Sequence, residues 1–393
     1  MKIGIYNEPP GGDVGGSEVS VAVLAEALKE RHEVEIIHHK ESLTLNLLAE
    51  TSGAKLNGVS MRRVEYVPHP SGGPHNPFKR YRLASAWNGA LSEPYDLFIN
   101  FTHGLPPFCR ARKGVLMVLF PLDEPPHLQA GVSGYASPFT NSSTRIKRLY
   151  HGWEWRRRME SYQVRLANSQ FTRAWAKRRW DIDCEVIYPP IDINHRTAEK
   201  SAIILSVGRF TTTGHSKKQL EMLAAFKQLC DDSLDGWQYV CAGGVSGLPR
   251  DREYFAEAQR MAEHARSRVL ANVERGRLRR LYEEAKIFWH AAGYGEDENQ
   301  RPEMTEHFGM ATVEAMSAGC VPIVINKGGQ REVIRHGVNG FLWDTLDELK
   351  EYTGLVARDE KLRARVADAA RVRSHDFSRE EYVKQFLRAL NLG

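Results

Sequence analysis

Short apolar, β-branched runs alternate with amphipathic helical stretches along the whole chain, and the alternation starts afresh near Ile203. In the first half the strand-like runs are Lys2–Tyr6, Glu33–His38, Leu97–Phe101, Val115–Phe120 and Arg165–Asn168. In the second half they are Ala202–Val207, Gln238–Ala242, Lys286–Trp289, Pro322–Ile325 and Gly340–Trp343. Their largely apolar character suits parallel strands covered on both faces. Between them, Ser17–Lys29 places Val21, Leu24, Ala25 and Leu28 on one helical face, and Ser216–Leu229 does the same with Leu220, Leu223, Phe226 and Leu229. This order argues for α/β wrapping of parallel sheets. The restart, in a chain of 393 residues, argues for two Rossmann-like domains, 1–190 and 191–376. Tyr188-Pro189-Pro190-Ile191-Asp192 is the expected linker, because adjacent prolines stop helix and sheet alike. Two such domains leave a central cleft between the carboxyl ends of their sheets, where ligands of open α/β sheets bind. The last helical stretch, Ser378–Leu390, could join either domain.

The formal charge of +5 is small for this length, but it is concentrated. Between Arg145 and Arg179 the cations Arg156, Arg157, Arg158, Arg173, Lys177, Arg178 and Arg179 face only Glu154 and Glu160. Such a stretch, bearing Trp and Tyr, can meet an anionic membrane face, a phosphorylated acceptor or nucleic acid; a solvated helix face is the plainer reading. The five cysteines are scattered without metal-ligand or disulfide spacing, which fits a reducing cytosol. Met1–Tyr6 begins directly with a strand-like run rather than a signal segment. Apolar runs such as Val115–Phe120 are too short to span a bilayer. The expected location is cytoplasmic, with any membrane contact peripheral and at the inner face.

Three patches carry chemistry. Ser206-Val207-Gly208-Arg209-Phe210 ends a strand, and Lys217-Lys218 opens the following helix. An Arg and a Lys flanking a helix amino terminus form a diphosphate clamp; two surface cations are the alternative. The second patch runs Glu306-His307-Phe308-Gly309-Met310-Ala311-Thr312-Val313-Glu314, with Gly309 marking a turn before a helix. Glu306 in the loop can meet a sugar, and Glu314 in the helix can accept from a ribose diol. The amides of Phe308, Gly309 and Met310 suit sugar or phosphate oxygens. The Lys327-Gly328-Gly329 loop that follows weakens the reading of two ordinary helix-start glutamates. At the amino end, Gly15-Gly16-Ser17-Glu18 lets backbone approach a phosphate or sugar, with a bare tight turn the alternative, and it lacks the GxGxxG spacing of a dinucleotide binder.

Together these patches resemble the retaining GT-B glycosyltransferases of the family 4 type (glycosyl transferases group 1). The resemblance covers nearly the whole chain and is most specific from Ile203 to Trp343. Glu306 and Glu314 match the family's E-x7-E motif, Arg209 and Lys218 its diphosphate-binding pair, and Gly16 its first-loop glycine. The resemblance implies an acceptor-binding first domain, to which residues 377–393 return, and a sugar-nucleotide-binding second domain. It implies catalytic roles for Arg209, Lys218 and Glu306, to which His103 is added as a candidate from the residues themselves, and donor contacts from Gly16, Phe308, Gly309, Met310, Thr312 and Glu314. Relatives carry a His-aromatic-Pro context where this chain reads Val118-Leu119-Phe120-Pro121; His103 and Asp123 are the substitutes considered for Leu119. Ala167–Thr172, Tyr188-Pro189-Pro190 and Glu306–Gly309 resemble eukaryotic mannosyltransferases of lipid-linked oligosaccharides, leaning towards GDP-mannose, with a UDP-sugar otherwise. The implied partners are a nucleotide-sugar donor and a glycan, lipid-linked or small-molecule acceptor. Neither cofactor nor metal is required, and Asp181-Ile182-Asp183 reads as surface. The competing readings are a GT-B sugar-nucleotide epimerase and a basic nucleic-acid-binding module. The latter lacks any dedicated motif, so no nucleic acid is expected as a partner.

Overall fold

The computed structural model describes the chain except residues 9–13, 66–76, 126–141, 194–197, 213, 215, 233, 264–265 and 393, and except the side chains of 77–81, 83–84, 142–148 and 231–232. The basic side chains expected at the amino end of the 145–179 stretch therefore lie outside the described residues. The chain forms two compact units, Met1–Ile187 with Val383–Gly393, and Tyr188–Tyr382. The sequence expectation set these divisions at 190/191 and 376/377.

In the first unit, β1 (Lys2–Asn7), β2 (Glu33–His38), β3 (Ser60–Arg63), β4 (Leu97–Thr102), β5 (Lys113–Val118), β6 (Val164–Ala167) and β7 (Glu185–Val186) form one parallel sheet. Its order is β3-β2-β1-β4-β5-β6-β7. The helices are α1 (Gly16–Leu28), α2 (Leu45–Ser52), α3 (Pro77–Ser92), α4 (Ser142–Glu160) and α5 (Gln170–Trp180). All six residues of β4 are buried, the mark of a strand covered on both faces.

In the second unit, β8 (Ser201–Val207), β9 (Gln238–Gly243), β10 (Ser267–Ala271), β11 (Ala285–His290), β12 (Val321–Ile325) and β13 (Phe341–Trp343) form a parallel sheet ordered β10-β9-β8-β11-β12-β13. Its helices are α6 (Gln219–Asp232), α7 (Pro249–Ala262), α8 (Arg275–Glu284), α9 (Met310–Ser317), α10 (Gln330–Val333), α11 (Leu346–Arg358) and α12 (Glu360–Ser374). Trp289, Tyr239, Phe226 and Trp343 fill the core on one face, and Trp289 Nε1 donates to Thr353 Oγ1 at 3.0 Å. On the other side the half-buried Lys200 ammonium donates to the carbonyls of Tyr282, Ala285 and Ala318 at 3.2, 2.9 and 2.7 Å. Those carbonyls lie at the carboxyl ends of α8 and α9, where a cation offsets the unpaired oxygens and the helix dipole. The last helix, α13 (Arg379–Leu390), begins in the second unit and continues into the first. There Phe386 stacks on Phe101 with centroids 6.2 Å apart, and Lys113 Nζ donates to the Leu390 carbonyl at 2.7 Å.

Both strand orders reverse at one place, between β1 and β4 and between β8 and β11. Parallel strands put all their carboxyl ends on one edge, and loops diverge at the reversal to leave room for a ligand. Glu8, His103, Gly208-Arg209 and Ala291 are the residues that follow these four strands.

The expected strands all form, within about two residues, as boundaries usually do. Three further strands, β3, β7 and β10, were not expected. Each is the outermost strand of its sheet or lies beside its edge neighbour alone. An edge strand is short and half wet, so it carries the weakest apolar signal.

The ends of β8 and β9 touch backbone to backbone: a Cβ on Gly243 would sit 1.9 Å from the Gly208 carbonyl oxygen. Gly243→Ala should therefore lower unfolding free energy by about 1–3 kcal/mol through forced separation. Gly247→Ala, with nothing within 4 Å of the added Cβ, should stay within about 0.5 kcal/mol. Chemical denaturation of the two variants tests this; equal stability would rule out the close approach.

Candidate active site

At the carboxyl edge of the second sheet, the loop after β8 and the start of α6 carry the cations. Arg209 is exposed and has no ion-pair partner among the described residues. Lys217 runs its stem over Gly208, where a Cβ would lie 2.5 Å from Lys217 Cγ. Its ammonium pairs with Glu306, and both side chains are 15% exposed. His290, the last residue of β11, is buried and directs Nε2 at the same Glu306 oxygen, 3.0 Å away. Burial lowers the His290 pKa against the pull of Glu306. Burial thus favours the neutral imidazole, whose Nε2–H donates to the carboxylate.

The structure separates the two lysines that the sequence could not. Lys218, the expected clamp residue, has φ +57, a left-handed conformation uncommon outside glycine. Its ammonium pairs with Glu296 at 3.2 Å. Lys217 is the lysine brought to Glu306, whereas the sequence reading had set Lys218 in the clamp.

Glycines fix the second motif. Gly309 caps α9 at φ +108, a conformation that favours a residue without Cβ. The Gly328-Gly329 turn presses on the preceding loop: added Cβ atoms would fall 2.2 Å from the Glu306 carbonyl oxygen and 2.3 Å from that of His307. Gly329 N donates to the Glu306 carbonyl at 2.8 Å. Phe308 is buried and stacks on Tyr188, with centroids 5.4 Å apart. Met310 and Thr312 follow in the first turn of α9, Thr312 fully buried, and the first amides of any helix lack partners within it. Glu314 accepts from the Tyr282 hydroxyl at 2.9 Å. Burial raises the Glu314 pKa, and the Tyr282 bond and nearby Arg275 and Arg379 offset this only in part. Arg209, Lys217, Glu306, Glu314 and the α9 start all belong to this one unit.

Gly16 and His103 belong to the other unit and gather a different set. Gly16 is the first residue of α1. The next turn is held by the buried Glu18, which accepts from Gly15 N (2.8 Å), Ser17 Oγ (2.9 Å), Asn7 Nδ2 (3.0 Å) and Lys40 Nζ (2.7 Å). Burial alone would raise its pKa; Lys40 and the donated bonds reverse that and hold it low. His103 follows β4, and its amide donates to Glu8 Oε2 at 3.2 Å, as does that of Gly104. Thr102 Oγ1 donates to the same carboxylate. Glu8 and the exposed Asp123 flank Gly104, whose added Cβ would meet them at 3.0 and 3.1 Å. Leu119 is buried, with its amide on the Thr102 carbonyl. Asp181 and Asp183 both face Lys177 on the surface, at 2.7 and 3.4 Å.

Lys217, His290, Tyr282 and Glu8 were not singled out from sequence. The position of Lys217 was legible as half of a Lys-Lys pair; His290 showed only as the residue after an apolar run; nothing marked Tyr282 or Glu8.

Comparison with known proteins defines the class. The model for glycosyl transferases group 1 matches residues 190–373, and that for glycosyltransferase family 4 matches residues 14–195. The chain belongs to the group 1, family 4 glycosyltransferases and has their GT-B fold of two Rossmann-like units. It is 25% identical over 229 residues to the GDP-Man:Man(3)GlcNAc(2)-PP-Dol alpha-1,2-mannosyltransferase of Dictyostelium discoideum, covering 54% of this chain and 43% of that protein. It is 26% identical over 276 residues to the alpha-1,3/1,6-mannosyltransferase of Homo sapiens, covering 63% and 64%. The chain thus matches less than two thirds of the length of either curated relative. The crystal structure of Anabaena HepE in complex with UDP and glucose has a TM-score of 0.68 at 17% identity, covering 98% of this chain and 99% of that one.

Burial pushes the Glu8 carboxyl up to about 7 from 4.5, against the bonds from Gly104 and His103, with Asp123 adding to the rise. A folded value above the unfolded one means that the folded chain holds the proton more tightly. Stability should therefore fall as pH rises from about 4.5 through 7, by about 3 kcal/mol from this group. Denaturation of wild type and Glu8→Gln should diverge by that amount between pH 4.5 and 8, with wild type the loser at high pH. Parallel curves would mean that folding leaves the Glu8 pKa where it stands in the unfolded chain.

Proposed function

We propose that the chain moves a glycosyl unit from a nucleoside-diphosphate sugar to a hydroxyl of a glycan, lipid-linked or small-molecule acceptor, with retention of configuration. The observation that carries this reading is the convergence of Lys217, Glu306 and His290 where the second sheet reverses its order. Negative charge builds on the departing diphosphate as the sugar becomes oxocarbenium-like. Fixed cations and amide dipoles lower that barrier because they need no reorganisation. Arg209 and Lys217 supply the charge, and the first amides of α9 supply the dipoles. Glu306, steadied by neutral His290, is left to accept from sugar hydroxyls. Glu314, oriented by Tyr282, accepts from the ribose diol.

With attack on the same face as departure, the acceptor proton passes to the leaving phosphate oxygen. The acceptor oxygen forms the new bond to the anomeric carbon as the bond to phosphate breaks. This scheme asks for no metal or other cofactor. In the first unit, Gly16, His103, Glu8 and Asp123 lie at the matching edge and are the candidates for acceptor contacts. The mannosyltransferase names of both curated relatives support a mannosyl donor, and one of those names specifies GDP-Man. The UDP and glucose bound to HepE support the alternative donor.

Thermal-shift screening should show stabilisation by GDP and GDP-mannose above that by UDP-glucose, since a ligand that binds only the folded chain raises its melting temperature. A larger shift with the uridine nucleotides would overturn the donor assignment. Lys217→Ala should lower kcat about 100-fold or more, while Lys218→Ala should cost less than about tenfold. Glu314→Ala should weaken nucleotide affinity about tenfold or more, the scale of a lost bond to a charged acceptor. Full transfer activity in folded Lys217→Ala would end this site assignment. Donor breakdown at an unchanged rate without any acceptor would end the transferase reading.

A further inference from the structure

We propose that Glu296 is a positioning residue of the donor site: by holding Lys218 in its left-handed turn it directs the neighbouring Lys217 to Glu306. Four non-glycine residues among those described have positive φ: Asp181, Lys218, Asn272 and Asn391. Aspartate and asparagine enter that region because a short polar side chain can bond locally, which a lysine cannot do. Lys218 therefore needs a tie from outside. It stands immediately before α6, as Gly309 stands before α9. Gly309 takes its left-handed turn at φ +108 without a Cβ, whereas Lys218 takes one at φ +57 with a full side chain. In place of a glycine's freedom the lysine has a carboxylate. Its ammonium pairs with Glu296 Oε1 at 3.2 Å, and the two side chains are only 18% and 14% exposed.

Glu296 can serve as that tie because the loop after β11, residues 291–301, is itself held on several sides. Arg301 pairs with Glu296 Oε2 at 3.1 Å. Lys327 Nζ donates to the Gly293 carbonyl at 3.0 Å and to the Glu296 carbonyl. Two residues on, Glu298 accepts from Gly328 N at 3.1 Å and from Arg331 at 2.7 Å. The loop thus braces the site with two carboxylates. Glu296 ties the lysine side, and Glu298 ties the Gly328-Gly329 turn that presses on Glu306 and His307. The first pairing also removes a rival, since a second free ammonium beside Lys217 would compete for Glu306 and for the departing phosphate. An exposed pair would do little of this; here both partners are largely out of water and act on a strained turn. This role of Glu296 rests on the reading of Lys217 as the cation that meets the leaving diphosphate.

Calorimetric binding of GDP and of UDP to the full chain tests this without an acceptor. Lys217→Ala should weaken the tighter of the two nucleotides about tenfold, the scale of a lost bond to a charged group. Glu296→Ala should weaken it about fivefold, and Glu296→Ala with Lys218→Gly should return it to within about twofold of wild type. Glycine takes the left-handed turn without a tie and leaves no second ammonium. Glu296→Gln, which keeps the shape and loses the charge, should act in the same direction as the alanine variant. Glu298→Ala, whose tie runs to the other wall, should gain nothing from Lys218→Gly. In a chain carrying isotope-labelled lysine, the Lys217 amide signal is assigned by its loss in Lys217→Ala. It should move in Glu296→Ala and return in the double variant with Lys218→Gly, whether or not nucleotide is bound. Either an unchanged affinity or an unmoved signal in folded Glu296→Ala would overturn the role of Glu296. So would a loss that Lys218→Gly fails to restore. Wild-type affinity in Lys217→Ala would instead end the reading of Lys217, and this role of Glu296 with it.

Discussion

Lys217 can reach Glu306 because Gly208 leaves room for its stem. The carbonyl of the same glycine lies against a second glycine, Gly243, at the end of the neighbouring strand. On the far side of Glu306, Gly328 and Gly329 press against the backbone of residues 306 and 307. Four absent side chains thus let two strand ends, a helix start and a loop close on one carboxylate. A single Cβ at any of them would have to move backbone or the stem of Lys217.

That ion pair is a poor device for holding the fold. Both partners are largely withdrawn from water, and a pair of this kind returns little more than its desolvation cost. In the proposed reaction its worth lies in readiness. A charge already desolvated and aimed needs little rearrangement when a second charge forms beside it. Neutral His290 serves the same end, because it fixes the carboxylate without adding a cation that would compete for it.

Much of the fold was legible in the residues, and the limits were physical. Central strands such as Leu97–Thr102 are buried on both faces and read as apolar runs. Edge strands such as Ser60–Arg63 show two half-buried residues between exposed ends, and their composition is that of a loop. Arg209, Glu306, Gly309 and Glu314 were legible because strand ends and helix starts place them. Lys217 and Lys218 were not separable, since both precede the helix and no periodicity acts on them. Their difference is a backbone rotation at Lys218. Glu8 was invisible because its character comes from what surrounds it, the hydroxyl of Thr102 and two amides 95 and 96 positions along the chain.

Residues 383–393 belong to the unit formed by residues 1–187, with the whole second unit between them in the chain. Phe101 receives its ring partner Phe386, and Lys113 its carbonyl partner Leu390, only from that last segment. On a ribosome, which emits the chain from its amino end, the unit begun first is therefore completed only after the second unit has emerged. It must wait with an open seat beside β4 and β5 until the second unit has been translated.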